Sequence, residues 1–306
     1  RRVVATGLDV PWGIAFLPGG DALVAERATA RILRIPAGGG KPRRVFTVPG
    51  VARNAGEGGL LGLAVRGSWV YAYLTSTQGD NRIVRFRLGD RRVRTVLTGL
   101  RTAGVHNGGR IAFGPDGKLY AGVGDAGLTA LAQDPASLNG KILRMNPDGS
   151  GVRVWSLGHR NVQGLAWDAR GRLWASEFGQ TRRDEVNLIR RGRNYGWPEV
   201  EGVGSTAGGR FTNPKLTWPT SAASPSGAAI IGRTLYVAAL RGECVWKVPL
   251  DGASVGKPTR MLAGRYGRIR TVAAAPDGTL WVATSNRDGR GSPRAGDDRI
   301  VAVRVA

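Results

Sequence analysis

The chain has 306 residues, 42% of them hydrophobic, and a formal net charge of +23 from 45 Lys+Arg against 22 Asp+Glu. Its single cysteine, Cys244, excludes an intrachain disulfide and a cysteine-based metal site, and no apolar run approaches the roughly eighteen residues that a membrane-spanning helix requires. The charge makes nucleic acid the first partner to weigh, yet the basic residues are scattered and accompany no helix-turn-helix, zinc spacing or RNP-like strip, so no nucleic-acid partner is expected.

One unit recurs along the chain: a small or Gly-rich approach, an apolar strand, a Gly/Pro/Asp turn, and a second strand ending near a polar residue. The first copy is Trp12 to Glu26 and the second starts at Gly58 (G-G-L-L-G-L-A-V-R-G-S-W-V-Y-A-Y). The third, Val105 to Gly127, carries one of only two histidines, a Gly108-Gly109 pair, a Pro-Asp-Gly turn and Asp125. The fourth is Gln163 to Glu177, the fifth starts at Ser226 and the sixth at Arg270. A spacing of roughly 45 to 60 residues is that of four-stranded propeller blades.

Between copies lie short strands in which apolar residues alternate with Arg or Lys. Examples are Arg31-Ile-Leu-Arg-Ile, Arg82-Ile-Val-Arg-Phe-Arg, Lys141-Ile-Leu-Arg-Met and Val245-Trp-Lys-Val. That is the pattern of an outer strand with one wet face. Helical periodicity is nearly absent. The expected fold is therefore all-β, a six-bladed β-propeller with four-stranded antiparallel blades, forming one domain over residues 1–306. Arg2-Val3-Val4-Ala5 is expected to close the last blade by pairing near Arg299 to Arg304, which removes a free edge. Gln133 to Asn139 and Gly202 to Ser226 interrupt the period as long insertions, and loops of such length in a compact domain are more often functional than idle.

In the third copy His106 stands at a strand entrance and Asp125 at a strand exit, which in an antiparallel pair is the same end. An imidazole with one nitrogen held by a carboxylate has a fixed tautomer, as a general base requires. The inner strands of a propeller start at the channel. Glu57, His106, Asp125, Arg160, Asn161, Glu177, Arg241, Arg268 and Arg270 are therefore expected around one mouth. Four guanidinium groups with an imidazole suit a planar polyanion, because Arg pairs bidentately with carboxylates and stacks on flat rings. Phosphate is the alternative ligand, although no Gly-rich phosphate loop opens a helix. The oxygen-rich stretch from Gly158 through Glu177-Phe-Gly-Gln180 and Arg183-Asp-Glu-Val-Asn187 to Asn194-Tyr-Gly-Trp-Pro198 suits Ca²⁺, without the spacing of an EF-hand.

The elements G-E-G-G-L-L-G-L-A (56–64), H-N-G-G-R with F-G-P-D-G-K-L-Y and G-D (106–125), N-G-K-I-L-R-M-N-P-D-G (139–149), L-G-H-R-N-V-Q-G-L-A (157–166), D-E-V-N-L-I (184–189), N-Y-G-W-P (194–198) and R-I-R-T-V-A-A-A-P-D-G (268–278) cover nearly the whole chain in order. In these the chain resembles the soluble glucose and aldose sugar dehydrogenases that depend on pyrroloquinoline quinone (PQQ). The resemblance implies that His106 is the catalytic base, that Asp125 orients it, and that Arg160 and Asn161 contact the quinone. It implies that Arg268 and Arg270 bind cofactor carboxylates, with Arg241 where the family usually has lysine and Glu57 where several members have glutamine. Gly179 and Gln180 fall where backbone carbonyls hold the active-site Ca²⁺, and Glu185 with Tyr195 matches a second calcium site. Two departures stand out: Glu57 adds a negative charge beside an anionic cofactor, and Gly202 to Ser226 does not follow the glucose enzyme's substrate loops.

The expected activity is oxidation of the anomeric hydroxyl of aldose sugars to the lactone, with PQQ and Ca²⁺ as cofactors and electrons passed to an external acceptor. Export to the periplasm or outside the cell is expected as well, and since the chain opens at Arg1-Arg2-Val3-Val4 without a leader, the signal is expected to have been removed. The rivals are a non-catalytic binding propeller, for which a channel-facing base has no use, and a calcium-dependent propeller lactonase, whose channel would gather carboxylates rather than arginines.

Overall fold

The computed structural model describes residues 1–53, 55–90 and 92–305. Among these, six sheets of antiparallel strands follow one another in chain order. Blade one is Pro11–Phe16, Ala22–Glu26, Arg31–Ile35 and Arg43–Thr47, and blade two is Leu60–Arg66, Trp69–Thr75, Asp80–Arg87 and Arg94–Arg101. Blade three is Ile111–Phe113, Leu119–Val123, Lys141–Met145 and Arg153–Leu157. Blade four is Val162–Trp167, Leu173–Glu177, Arg183–Ile189 and Leu216–Pro219. Blade five is Pro225–Ile231, Thr234–Ala239 and Cys244–Asp251, its edge paired with Ser254–Val255 and Thr259–Met261. In blade six, Ile269–Ala274, Leu280–Thr284 and Ile300–Val303 are joined by the N-terminal Arg2–Ala5, so the chain closes its own ring and leaves no open seam.

The all-β, six-bladed architecture is thus the one expected, with one correction. Gly202 to Ser226 is not a free insertion: it contains Leu216–Pro219, the outermost strand of blade four, and ends in the inner strand of blade five. Its Thr and Pro residues masked the alternation that marks a strand.

A single blade is hydrophobic on both faces and cannot cover itself. The buried side chains form six clusters, each made mainly between two adjacent blades, as where Trp174, Val186 and Trp218 of blade four meet Leu235, Val237 and Val248 of blade five. Trp12, Trp174 and Trp281 are among the largest fully buried side chains, and truncating one of them to Ala typically costs about 3–5 kcal/mol.

The inner strands touch in sequence around the channel, and the sixth returns to the first. Glycine makes that approach possible: a Cβ on Gly62 would overlap the Gly109 carbonyl, and one on Gly227 would press on the backbone of Thr271. A register shift recurs near the start of five inner strands, at Pro11/Ile14, Leu60/Leu63, Val162/Gly164, Pro225/Ala228 and Ile269/Thr271. Such bulges bend the strand and re-aim its side chains, and they set the residues just before each strand around one mouth.

Candidate active site

His106 lies in the loop that leads into blade three, with φ +54 in the left-handed region. That conformation is uncommon for a side-chain-bearing residue and is kept only where the surroundings enforce it. Here its N–H donates to Glu57 Oε2 (3.1 Å) and its carbonyl accepts the Ala126 N–H (3.1 Å). The next residue is pinned too, since Asn107 Oδ1 accepts from Asn81, Thr102 and the Ala103 N–H, and its carbonyl accepts from the Tyr73 hydroxyl. Nδ1 of His106 lies 2.7 Å from Asp125 Oδ1, as the strand geometry predicts.

Asp125 is completely buried. It also receives the Gly127 N–H (2.8 Å) and the indole N–H of Trp197 (2.9 Å). With a carboxylate as partner Nδ1 carries the proton, so Nε2 presents its lone pair from a side chain that remains 15% exposed.

Around this pair stand the arginines. Arg160 donates from Nε and Nη2 to Gln180 Oε1 (2.9 and 2.6 Å), and its guanidinium carbon lies 5.5 Å over the Trp197 ring. Its backbone N–H is held by Glu177 Oε1. The other oxygen of Glu177 meets His159 Nδ1 at 2.8 Å, and His159 Nε2 meets Ser156 Oγ at 2.8 Å. His159 is fully buried and stacks on Tyr195, so this second histidine is no base for substrate and instead fixes the peptide that carries Arg160. Burial disfavours the charged form of Arg160 and lowers its pKa, with Asp125 and Glu177 acting in the other direction.

Arg268 donates from Nε and Nη2 to Asp288 Oδ2, and Arg270 reaches the same oxygen at 3.7 Å while bonding Gln163 Oε1 (2.9 Å). Burial, then the proximity of Arg27, lowers Arg270 to about 9. Asp288 is held below the ordinary carboxylate range because Arg270 and Arg268 outweigh its burial.

The negative charge of Glu57 has a partner that the sequence did not reveal. Arg290 Nη1 lies 2.8 Å from Glu57 Oε1, and together with the His106 N–H it lowers the Glu57 pKa against the opposing effect of burial. The structure thus brings Glu57, His106, Asp125, Arg160, Asn161, Arg268 and Arg270 to one mouth through shared contacts. Glu177 sits behind that mouth rather than on it, and Arg241, on the exposed turn after Thr234–Ala239, makes none of the side-chain contacts that join the others among the described residues.

Two buried donors in the mouth have no acceptor among the described residues: Asn161 Nδ2 and Arg270 Nε. An unmade bond there is costly, and a ligand rich in carboxylate and carbonyl oxygens would satisfy both. The residues fit PQQ in that respect.

The calcium expectations meet a similarly prepared region. Glu201 Oε1 accepts four successive N–H groups, from Gln180 through Arg183, at 2.8 to 3.1 Å. No donor among the described residues takes the carbonyls of Gly179 or Gln180. Glu185 is buried and pushed up to about 8, first by burial and then by Glu177 across the strand pair. Next to it Asn187 Oδ1 is buried without a donor. A carboxylate beside an orphaned carbonyl oxygen is a donor set for a hard cation. The Tyr195 hydroxyl donates to the Leu188 carbonyl (2.6 Å) and accepts the Arg190 N–H, so Tyr195 has only its backbone oxygen to offer.

Sequence reading missed Trp197, Asp288, Gln163, Arg27 and Arg290 as working parts, and it put Glu177 on the mouth without its Ser156–His159 partners. The repeat itself held a signal for some of them: Glu26, Asp125, Glu177 and Asp288 all lie at or just beyond the second strand of a blade. Of the two insertions, Gln133 to Asn139 does have a task, since Gln133 Nε2 donates to the Trp197 carbonyl (2.6 Å) and braces the indole over Asp125.

The sequence profile of the Glucose / Sorbosone dehydrogenase family matches residues 8–292. The chain is 30% identical over 338 residues to the aldose sugar dehydrogenase YliI of Escherichia coli, covering 94% of this chain and 90% of that protein. It is 32% identical over 263 residues to quinoprotein glucose dehydrogenase B of Acinetobacter calcoaceticus, covering 70% of this chain and 55% of that protein. Among solved structures, the PQQ-bound form of the aldose sugar dehydrogenase of Streptomyces coelicolor superposes with a TM-score of 0.93 at 51% identity, covering 98% of this chain and 96% of that one.

Proposed function

The chain belongs to the glucose/sorbosone dehydrogenase family, and on that premise we propose that it is a PQQ-dependent aldose sugar dehydrogenase that oxidises the anomeric hydroxyl to the lactone. The observation that carries this reading is the His106–Asp125 pair, a base with a free Nε2 beside a buried arginine cluster that contains two unsatisfied donors.

His106 Nε2 takes the hydroxyl proton, and Asp125, 2.7 Å from Nδ1, stabilises the imidazolium that results. PQQ, when bound, supplies the acceptor for the hydride that leaves the anomeric carbon. Arg268 and Arg270 would hold its carboxylates. Arg160 and Asn161 would hold its quinone end, where Arg160 would supply positive charge. Trp197, braced from Gln133 and bonded to Asp125, holds the base and offers Arg160 an aromatic face. Arg290 offsets the charge of Glu57, so the mouth stays attractive to an anionic cofactor.

Ca²⁺ would be held at the cofactor by the Gly179 and Gln180 carbonyls, and at a second site by Glu185 with Asn187 and the Tyr195 carbonyl. We place the enzyme outside the cytoplasmic membrane, with an external electron acceptor. That placement rests on the family resemblance, and no described helix is long and apolar enough to cross a membrane.

The test is to add PQQ and Ca²⁺ to the protein, follow the cofactor's absorbance, and then assay a panel of aldoses with an artificial dye acceptor and identify the product. Aldose-dependent dye reduction with lactone formation is expected. A protein that binds the cofactor yet reduces no dye with any aldose would overturn the proposal.

A further inference from the structure

We propose that the end of the central channel opposite the active-site mouth is a second binding site, for a small amphiphilic anion of the medium-chain carboxylate type. The proposal does not depend on the oxidoreductase reading, because apart from Arg110 its lining is drawn mainly from the later residues of the inner strands. Those strands begin at the active-site mouth and run toward the opposite face. There the ends of all six line a cavity of about 500 Å³, within the range of small-molecule pockets. Its wall side chains are apolar, with Phe16, Val65, Phe113, Trp167 and Ile230 around the rim.

The wall of this cup combines these apolar side chains with polar backbone groups of the strand ends, and at its floor lies a charge. Arg110 is only 8% exposed and donates from Nε to the Gln163 carbonyl (2.7 Å) and from Nη2 to Thr271 Oγ1 (3.2 Å). Its Nη1 has no partner among the described residues, and Arg110 lines the cavity. No carboxylate among the described residues pairs with it. The charge felt at Arg110 comes from Arg270, which is also cationic, and burial followed by that repulsion lowers Arg110 to about 9. It is still charged at neutral pH. A largely buried cation with no counter-ion and with Nη1 open to the cup is a ready partner for an anion entering from that side.

The cup is separate from the active-site mouth. The indole of Trp12 lies 4.2 Å from the guanidinium carbon of Arg110 and 6.0 Å from that of Arg270. Gln163 faces both ways, its backbone carbonyl taking Arg110 and its side-chain oxygen taking Arg270. The two sites therefore share a wall but no ligating side chain. A ligand matched to the cup has one anionic end to reach Arg110 and an apolar tail to cover the strand ends. A fully polar anion would leave the rim wet, and an uncharged amphiphile would leave Arg110 unpaired.

The test is calorimetric titration of PQQ-loaded protein with octanoate, alongside octanol, which lacks the charge, and acetate, which lacks the tail. Octanoate is expected to bind once per chain without displacing PQQ, with octanol and acetate each weaker by roughly tenfold or more. Arg110→Met should remove the preference of octanoate over octanol. Because that change also cuts the bonds to Gln163 and Thr271, Ala274→Trp provides a second test that fills the exposed rim and leaves Arg110 intact, and it should abolish octanoate binding. Absence of saturable octanoate binding, equal binding of octanol, or loss of PQQ as octanoate binds would each overturn the proposal.

Discussion

Replacement of His106 tests the chemistry most directly, and the surroundings of the residue say which replacement is cleanest. Its backbone conformation is left-handed and its N–H and C=O are both engaged, with Glu57 and Ala126. Asparagine tolerates that conformation better than other side chains, and its amide can still donate to Asp125, so His106→Asn removes the base with little disturbance of the loop. General-base catalysis contributes about 10² to 10⁴ in rate, which corresponds to roughly 3 to 5 kcal/mol of barrier. Turnover of the PQQ-loaded variant, measured with saturating aldose and dye, should fall within that range while PQQ affinity and melting temperature stay near wild type. Asp125→Asn is expected to be milder in rate but not in stability. Three donors converge on this carboxylate, and an amide offers a single acceptor oxygen, so at least one buried donor would face an NH₂ group at about 1 to 3 kcal/mol. Full turnover by His106→Asn would refute the assignment of the base.

The arginine pair predicts that Arg268→Gln with Arg270→Gln weakens PQQ binding by about 10² to 10⁴, from two charge-assisted contacts worth roughly 1.5–3 kcal/mol each, as read by titration of the apo protein; a change of only a few-fold would remove these residues from the cofactor site. Arg290→Ala should leave stability nearly unchanged, since its side chain is 59% exposed, yet weaken PQQ binding more at low than at high salt because Glu57 is left uncompensated; a salt-independent effect would contradict that. At the calcium region, chelation should lower both activity and melting temperature. Glu185→Gln should abolish the rise in melting temperature that Ca²⁺ produces and, above about pH 8 where the Glu185 carboxyl becomes charged, raise the melting temperature measured in chelator, because a neutral amide no longer repels Glu177. An unchanged calcium response in Glu185→Gln would place the structural ion elsewhere.

How much of this was legible in the sequence follows from how local each feature is. The blades were readable because each copy repeats a strand–turn–strand signal within about twenty residues. The pairing of Arg2–Ala5 with Ile300–Val303 followed from the need to cover an edge. His106 and Asp125 were readable because a hairpin ties their positions together. Leu216–Pro219 was missed because a short edge strand with Thr and Pro has no alternation to display. The Arg290–Glu57 pair spans 233 residues in sequence and no local pattern could report it. Trp197 escaped for a related reason: its indole reaches Asp125 across 72 residues, although its own motif was conspicuous.

The large positive charge also takes on a physical meaning that composition alone left open. Much of the arginine lies on outer strands, where guanidinium groups stack on indoles. Three of them, Arg85, Arg87 and Arg94, lie within 4.5 to 5.3 Å of the Trp69 ring. A planar cation can cover an exposed aromatic and stay hydrated at its edge, which lysine does less well. The arginines of the channel are different: burial pushes Arg110, Arg160 and Arg270 toward neutrality, and each channel arginine needs a partner. Arg268 and Arg270 share Asp288, and Arg160 has Gln180 and an aromatic face, whereas Arg110 has only a carbonyl, a hydroxyl and an indole. One repeated strand therefore produces two chemically distinct channel ends. The starts of the inner strands, bulged in five of the six blades, carry polar residues such as Glu57, His106, Arg160 and Arg270, whereas the later residues that line the opposite end are apolar. Function concentrates where the repeat is broken.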